Sequence, residues 1–217
     1  MELSKYKTWF FDCDGVLLDS NQLKSESFYE VALPYGEEYA QALVELNKQL
    51  GGVTRFEKFK HFFENILGKK SFEKELENAL KSFSTLVCEK LITCPETSGV
   101  RAFLDSLPTN TKKYVVSGGA QSEIQYVFKQ RGFDAYFHGI YGSPNSKEVI
   151  MSSRIESPDM EYPAVFIGDS RYDYEVAKRF NLDFIFMTKY TEFKNWDLYF
   201  VNKPVKVIES FSRLQFG

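Results

Sequence analysis

Residues 10–20 read FFDCDGVLLDS, an apolar run that ends in Asp12 and Asp14 with Asp19 close behind. Aspartate is a poor strand former, so carboxylates at the end of an apolar strand need a reason. A polar turn is the plain one. The other is that the strand delivers a nucleophile and an acid to the rim of a sheet, and the rest of the chain favours it.

Working outward, TWFFD (8–12), KYVVS (113–117), AVFIGD (164–169) and DFIFMT (183–188) read as strands, with AYFHGIYG (135–142) as a fifth. Between them lie helical stretches such as AQSEIQYVFKQRG (120–132), which ends at Arg131 with Gly132 placed to cap it. Strand and helix alternate through the C-terminal half, which predicts parallel βαβ units in a three-layer α/β/α sandwich with a mainly parallel, Rossmann-like sheet. Beyond residue 190, DLYFV (197–201) reads as an edge strand and VKVIESFSRL (205–214) as a terminal helix.

Residues 21–92 break the alternation. Tyr39, Leu43, Leu46 and Leu50 share one helical face, as do Phe56, Phe59, Phe63 and Ile66. TRFE (54–57) is a capping box with Gly68 beyond the helix end. Phe72, Leu76, Leu80, Phe83 and Val87 mark a third helix, and Asp19 with Ser20 is placed to cap the first. This is far more than a crossover helix requires. The expectation is an all-helical cap over residues 20–94, with residues 1–19 and 95–217 forming the α/β core. A helical dimerisation arm is the competing reading, and the oligomeric state is not legible.

Bulk properties agree. The 217 residues suit a main domain with a smaller insertion, and 21 Phe and 13 Tyr can fill a sizeable core. A net charge of −3 carries no footprint for nucleic acid or an anionic membrane. No apolar stretch approaches the roughly 20 residues of a membrane span, and MELSKYKTWFF lacks a signal-peptide pattern. Cys13, Cys88 and Cys94 are odd in number and lack zinc-like spacing, so reduced thiols in a cytoplasmic protein are expected. Strand alternation points Cys13 into the core. His61 and His138 have no metal-like partners in the sequence and read as packing or surface residues.

The strand ends share a pattern. One ends in Asp12 and Asp14, one in Ser117, Gly118 and Gly119, and one in Gly168, Asp169 and Ser170, with Asp173 four residues past Asp169. Parallel strands bring these ends to one edge, where unbalanced carboxylates would cost on the order of several kcal/mol. A hard divalent ion such as Mg²⁺ balances them and takes a phosphate as a further ligand. An aspartate can then attack phosphorus and form an aspartyl-phosphate. Asp14, two residues from Asp12, falls on the same side of the chain and suits proton transfer. Gly15 allows the tight turn beneath them.

This constellation resembles the haloacid dehalogenase superfamily, through four motifs in the expected order over most of the chain. FDCDGVLLDS places Asp12 as nucleophile and Asp14 as acid/base. VVSGG places Ser117 and the Gly118 amide on the phosphate. GSPNSK offers Lys147 as the cation, although its flank departs from the commoner Lys-Pro form. FIGDSRYDYEVA makes Asp169 a Mg²⁺ ligand, with Asp173 supporting it or Lys147. The resemblance implies a metal held by Asp12, the backbone carbonyl of Asp14, and Asp169. Asp173 also suits a capping box with Ser170.

Members that cleave carbon–halogen bonds generally lack the second aspartate, so Asp14 favours phosphoryl transfer. LGGVTRFEKF (50–59) is similar to the cap stretch of β-phosphoglucomutase-like proteins, in which an arginine matching Arg55 binds the far phosphate. The lysine of that stretch is Gly51 here, and a histidine after the first motif aligns with Lys24. Both departures favour a phosphatase over a mutase, and the resemblance implies a small phosphorylated metabolite, a phosphosugar or a small phosphoacid, as its substrate. A non-catalytic binding module is the reading from another class, and the intact set of carboxylates and lysine weighs against it.

Overall fold

The computed structural model describes residues 3–214. Six strands form one fully parallel sheet in the order β3-β2-β1-β4-β5-β6. They are β1 (Thr8–Phe11), β2 (Lys112–Ala120), β3 (Gly139–Ser143), β4 (Ala164–Gly168), β5 (Asp183–Met187) and β6 (Val205–Ile208). β1 is central and wholly buried, which is why TWFF is continuously apolar rather than alternating.

The two faces of the sheet separate by strand alternation. Trp9, Phe11, Val115, Ile167 and Ile185 point to one side, against α5 (Val100–Ser106) and α6 (Gln121–Gln130). Phe10, Tyr114, Phe166, Phe184 and Phe186 point to the other, against α7 (Lys147–Ile155), α8 (Arg171–Arg179) and the short α9 (Trp196–Tyr199). The expected three-layer sandwich is present.

Between β1 and α5 lie α1 (Asn21–Ala32), α2 (Glu37–Gln49), α3 (Arg55–His61) and α4 (Glu73–Thr93). Phe28, Phe59 and Phe83 meet at their centre, with ring centroids 4.3–5.7 Å apart. The two strands of chain that enter and leave this helical insertion pair with each other: Asp19 N donates to Pro95 O and Thr97 N to Leu17 O, at 2.9 and 3.1 Å. Arg131, just past α6, donates to the carbonyls of Leu91, Ile92 and Cys94 and so ties off the end of α4.

Several expectations need correction. Residues 196–199 are helical and the edge strand is formed by Val205–Ile208, the reverse of the sequence reading. The β-branched run VKVI pairs with β5 from Phe184↔Val205 to Met187↔Ile208, while Phe200 turns inward, 4.7 Å from the Phe186 ring. Phe211 then folds back onto Phe103, 4.8 Å between centroids. Phe56 is exposed, whereas Phe59 and Phe63 of the same expected face are buried; α3 passes into a π-helical turn over Phe62–Ile66. Thr54 caps α3 by accepting from Glu57 N. Ser20 sits at the start of α1 but makes no cap bond; its hydroxyl is used elsewhere.

Cys13 is buried in the core as expected, and all three cysteines are unpaired thiols. His61 and His138 are exposed. Among the described residues no helix is long and apolar enough to cross a membrane.

Candidate active site

Phe11 is level with Val115 on one side and Ile167 on the other, so residues just past β1, β2 and β4 emerge together at the carboxyl edge of the sheet. Asp12 continues the ladder by one step, its N–H donating to Ile167 O at 3.0 Å. Its carboxylate lies in a buried cluster with those of Asp169 and Asp173, each offering an oxygen within 4.8 Å of the others. Lys147, fully buried at the first position of α7, places Nζ 2.8 Å from Asp12 Oδ1 and 2.6 Å from Asp173 Oδ1.

Three carboxylates against one ammonium leave two negative charges uncompensated in a desolvated place. Burial, eased by Lys147 and reinforced by Asp173 and Asp14, pushes the Asp12 carboxyl up to about 7. Burial, with Asp12 and Asp173 adding to it, raises Asp169 well above the carboxylate range. Burial opposes the charge on Lys147, but Asp12 and Asp173 outweigh it and hold the ammonium protonated. Hard oxygen donors carrying surplus negative charge are the donor set that a divalent cation fits.

Asp173 makes two sets of contacts. Ser170 and Asp173 form a capping box at the start of α8, and the second oxygen of Asp173 holds Lys147. Gly15 is required: its backbone has φ +71°, and a Cβ there would lie 2.3 Å from Asp169 Oδ2.

Asp14 is held differently from Asp12. Its carboxylate accepts from Ser20 Oγ at 2.6 Å and from Lys24 Nζ at 2.5 Å. Burial alone would raise its pKa, but Lys24 and these hydrogen bonds bring it below the ordinary carboxylate value. Two aspartates two residues apart therefore have opposite tendencies, Asp12 raised and Asp14 lowered, because their cationic partners sit differently.

Ser117, Gly118 and Gly119 lie where the β2–β3 register breaks, between Val116 and Ala120. Ser117 is buried and its Oγ accepts from Gly119 N at 3.0 Å. Gly118 and Gly119 line the cleft together with Asp12, Asp14 and Asp169, and the opposite wall is the helical insertion. The cleft holds about 70 Å³, room for a small ligand. A Cβ on Gly118 would lie 2.4 Å from Gly52 O, so the insertion's Gly51–Gly52–Val53 turn rests directly on the strand end.

Arg55 lines the cleft, but its guanidinium is engaged. It forms a two-point pair with Glu123 at the start of α6, at 3.0 and 2.5 Å, and also donates to Ser84 Oγ at 2.9 Å. The sequence reading did not single out Asn21, Glu123 or Lys58. Asn21 donates to Asp169 Oδ2 at 2.7 Å and thereby orients it. Lys58, three residues past Arg55, is buried in the same cleft wall. Its spacing from Arg55 on one helical turn was the available signal.

The chain matches the model of the haloacid dehalogenase-like hydrolases over residues 9–187. No curated protein matches it. Among solved structures it is similar to a predicted phosphoglycolate phosphatase from Haemophilus somnus 129pt, with 19% identity, 97% of this chain and 96% of that one covered, and a TM-score of 0.76. It is also similar to a β-phosphoglucomutase from Clostridium difficile, with 16% identity, 97% and 94% covered, and a TM-score of 0.72. A predicted phosphatase from Clostridium acetobutylicum has 20% identity, 93% of each chain covered and a TM-score of 0.73. At these identities the structural likeness concerns the fold. The family match, running from the first strand to the end of the fifth, places this chain in the haloacid dehalogenase-like hydrolase family.

Proposed function

We propose that the protein is a Mg²⁺-dependent phosphomonoesterase for a small organic phosphate, working through an aspartyl-phosphate on Asp12. The observation that carries this reading is the contrast at the strand end: Asp12 faces Lys147 within the acidic cluster, while Asp14 is held apart by Lys24 and Ser20. One carboxylate is thus placed for attack and the other for proton transfer.

Asp12, the backbone carbonyl of Asp14, and Asp169 would hold the metal. Bound there, a divalent ion supplies positive charge against the transferring phosphoryl group. The free Asp12 oxygen attacks phosphorus as the ester P–O bond breaks, and Asp14 gives a proton to the leaving oxygen. In the second half, Asp14 takes a proton from water as that water displaces Asp12 and releases inorganic phosphate. The ion pair with Lys24 keeps Asp14 ionised at rest, which suits the second half. Donation in the first half requires Asp14 first to take up a proton from water, as Lys24 loosens its hold and turns to the negative substrate.

Lys147 neutralises Asp12 and the phosphate, and Ser117 with the Gly118 amide receives phosphate oxygens. Asp173 keeps Lys147 in place. Residues 20–94 act as a cap over the core, and the Gly51–Gly52–Val53 turn against Gly118 supports closure that excludes water. The engagement of Arg55 by Glu123 and the lack of a side chain at Gly51 favour hydrolysis over a mutase, which must grip a second phosphate while its intermediate turns. The unpaired thiols support a reducing compartment such as the cytoplasm.

The test is phosphate release from a panel of small phosphate esters with Mg²⁺ or EDTA. Mg²⁺-dependent release that falls by at least about 10³-fold in Asp12→Asn is expected. Wild-type rates in that variant would sink the covalent mechanism. Release from no ester, with turnover only when a sugar bisphosphate is supplied, would move the assignment to a mutase.

A further inference from the structure

The cations around the cleft are nearly all matched. Lys147 has Asp12 and Asp173, Lys24 has Asp14, and Arg55 has Glu123. Lys48 lies 3.4 Å from Glu45 and is partly exposed to water. Lys58 is the exception: it is only 6% exposed, and among the described residues no carboxylate lies within ion-pair distance of it.

What holds Lys58 is neutral. Its Nζ donates to Asn47 Oδ1 at 2.7 Å and sits 5.5 Å from the centroid of the Phe28 ring. Asn47 is itself oriented, because its Nδ2 donates to Ser25 Oγ at 2.9 Å while that hydroxyl donates to Glu192 at 2.9–3.0 Å. Every hydrogen in this chain runs from Lys58 toward Glu192, so Asn47 cannot turn its amide toward Lys58 without breaking two bonds. The ammonium has three donors, of which Asn47 takes one.

A buried ammonium without a counter-charge is costly. Burial, with Lys24 nearby, accordingly lowers its pKa to about 7. An anion arriving in the cleft would relieve that cost, and the same cleft is walled by Asp12 and Asp14. A bound phosphoryl group there leaves the rest of the substrate directed at the insertion.

We propose that Lys58 is a specificity-determining residue that receives a carboxylate on the substrate, so the preferred substrates are small phosphorylated carboxylic acids. The inference rests on the phosphomonoesterase reading and deepens it. A carboxylate is favoured over a second phosphate for two reasons. The planar fork best suited to phosphate, Arg55, is already taken by Glu123. Lys58 offers a single unmatched positive charge, which a carboxylate balances and a phosphate dianion exceeds, in a cleft already walled by Asp12 and Asp14.

The experiment compares kcat/KM for 2-phosphoglycolate with that for ethyl phosphate, its counterpart without the carboxylate, in wild type, Lys58→Met and Lys58→Arg at saturating Mg²⁺. Wild type is expected to prefer the acid, and Lys58→Met to lose about 10- to 100-fold more on the acid than on ethyl phosphate, mostly in KM. Lys58→Arg should recover part of the difference. Equal losses on both esters, or a wild type indifferent to the carboxylate, would overturn the proposal while leaving the phosphomonoesterase reading intact. Calorimetric binding of 2-phosphoglycolate and of ethyl phosphate to Asp12→Asn, with and without Lys58→Met, reads the contact without turnover. Tighter binding of the acid that depends on Lys58, where wild type with Mg²⁺ hydrolyses neither ester, would uphold the contact and sink the esterase. No difference in binding would sink the contact.

Discussion

Arg55 on α3 and Glu123 at the start of α6 are joined by two hydrogen bonds of 3.0 and 2.5 Å, with their side chains 8% and 15% exposed. The pair spans the insertion and the α/β layer, and Phe83 covers the guanidinium at 4.8 Å. Removing one partner leaves a buried charge unmatched. Glu123→Ala is expected to destabilise the protein by about 3 kcal/mol in urea unfolding, and to speed hydrogen exchange in α3. Unchanged stability and exchange would show the pair to be incidental.

Metal binding should be visible without substrate. Asp12 and Asp169 are buried with Asp173 against one lysine, so a divalent ion that binds only the folded chain raises its stability. At an Mg²⁺ concentration about 100 times Kd, the gain is about 2.7 kcal/mol. A thermal melt with and without Mg²⁺ measures it. Asp169→Asn should abolish most of the gain, and an equal gain in that variant would relocate the site.

Gly118 is a test of closure. A methyl group there would lie 2.4 Å from Gly52 O, a backbone atom that cannot yield by rotating a side chain. Gly118→Ala should push the Gly51–Gly52–Val53 turn off the strand end, lowering kcat/KM by about 10²-fold with melting shifted by only a few degrees. Full activity in that variant would mean that the turn is free to move aside during turnover.

Lys58 predicts a pH dependence of stability. Its pKa falls from 10.5 to about 7 on folding, through burial first and Lys24 and Lys147 next, with Asp14 and Glu192 opposing. Below pH 7 both states are charged and the full cost is present. Between 7 and 10.5 the folded chain is already neutral while the unfolded chain still binds the proton, so stability climbs with pH. Lys58→Met should therefore be more stable than wild type below pH 7, by a few kcal/mol less about 1 for the unmade bond to Asn47. The advantage should shrink to nothing by about pH 10.5. A difference independent of pH would mean that folding leaves the Lys58 pKa unmoved and its ammonium charged at no net cost in the resting cleft.

Much of this was legible in the chain itself. Strand and helix periodicity is a local property, so TWFF, KYVV, AVFIG and DFIFM declared the sheet, and the interruption over residues 21–92 declared the helical insertion. Asp12, Asp14, Ser117, Asp169 and Asp173 were legible because parallel strands carry their ends to one edge whatever fills the middle. The C-terminal segment misled because VKVIESFSRL is long enough for a terminal helix, although its β-branched start VKVI suits a strand. β5 presents an open edge to it, and pairing Val205–Ile208 there satisfies backbone groups that a helix would leave exposed on the sheet.

Which charges remain matched was settled only by the tertiary structure. Arg55, Lys24 and Lys58 are alike in the sequence only as cations that follow the first motif. Their partners, Glu123, Asp14 and the neutral Asn47, lie 68, 10 and 11 residues away along the chain. Sequence periodicity fixes a side chain's direction within its own element. Its counter-charge depends on how elements pack, because Coulomb energy follows distance in space and the water excluded there, not separation along the chain.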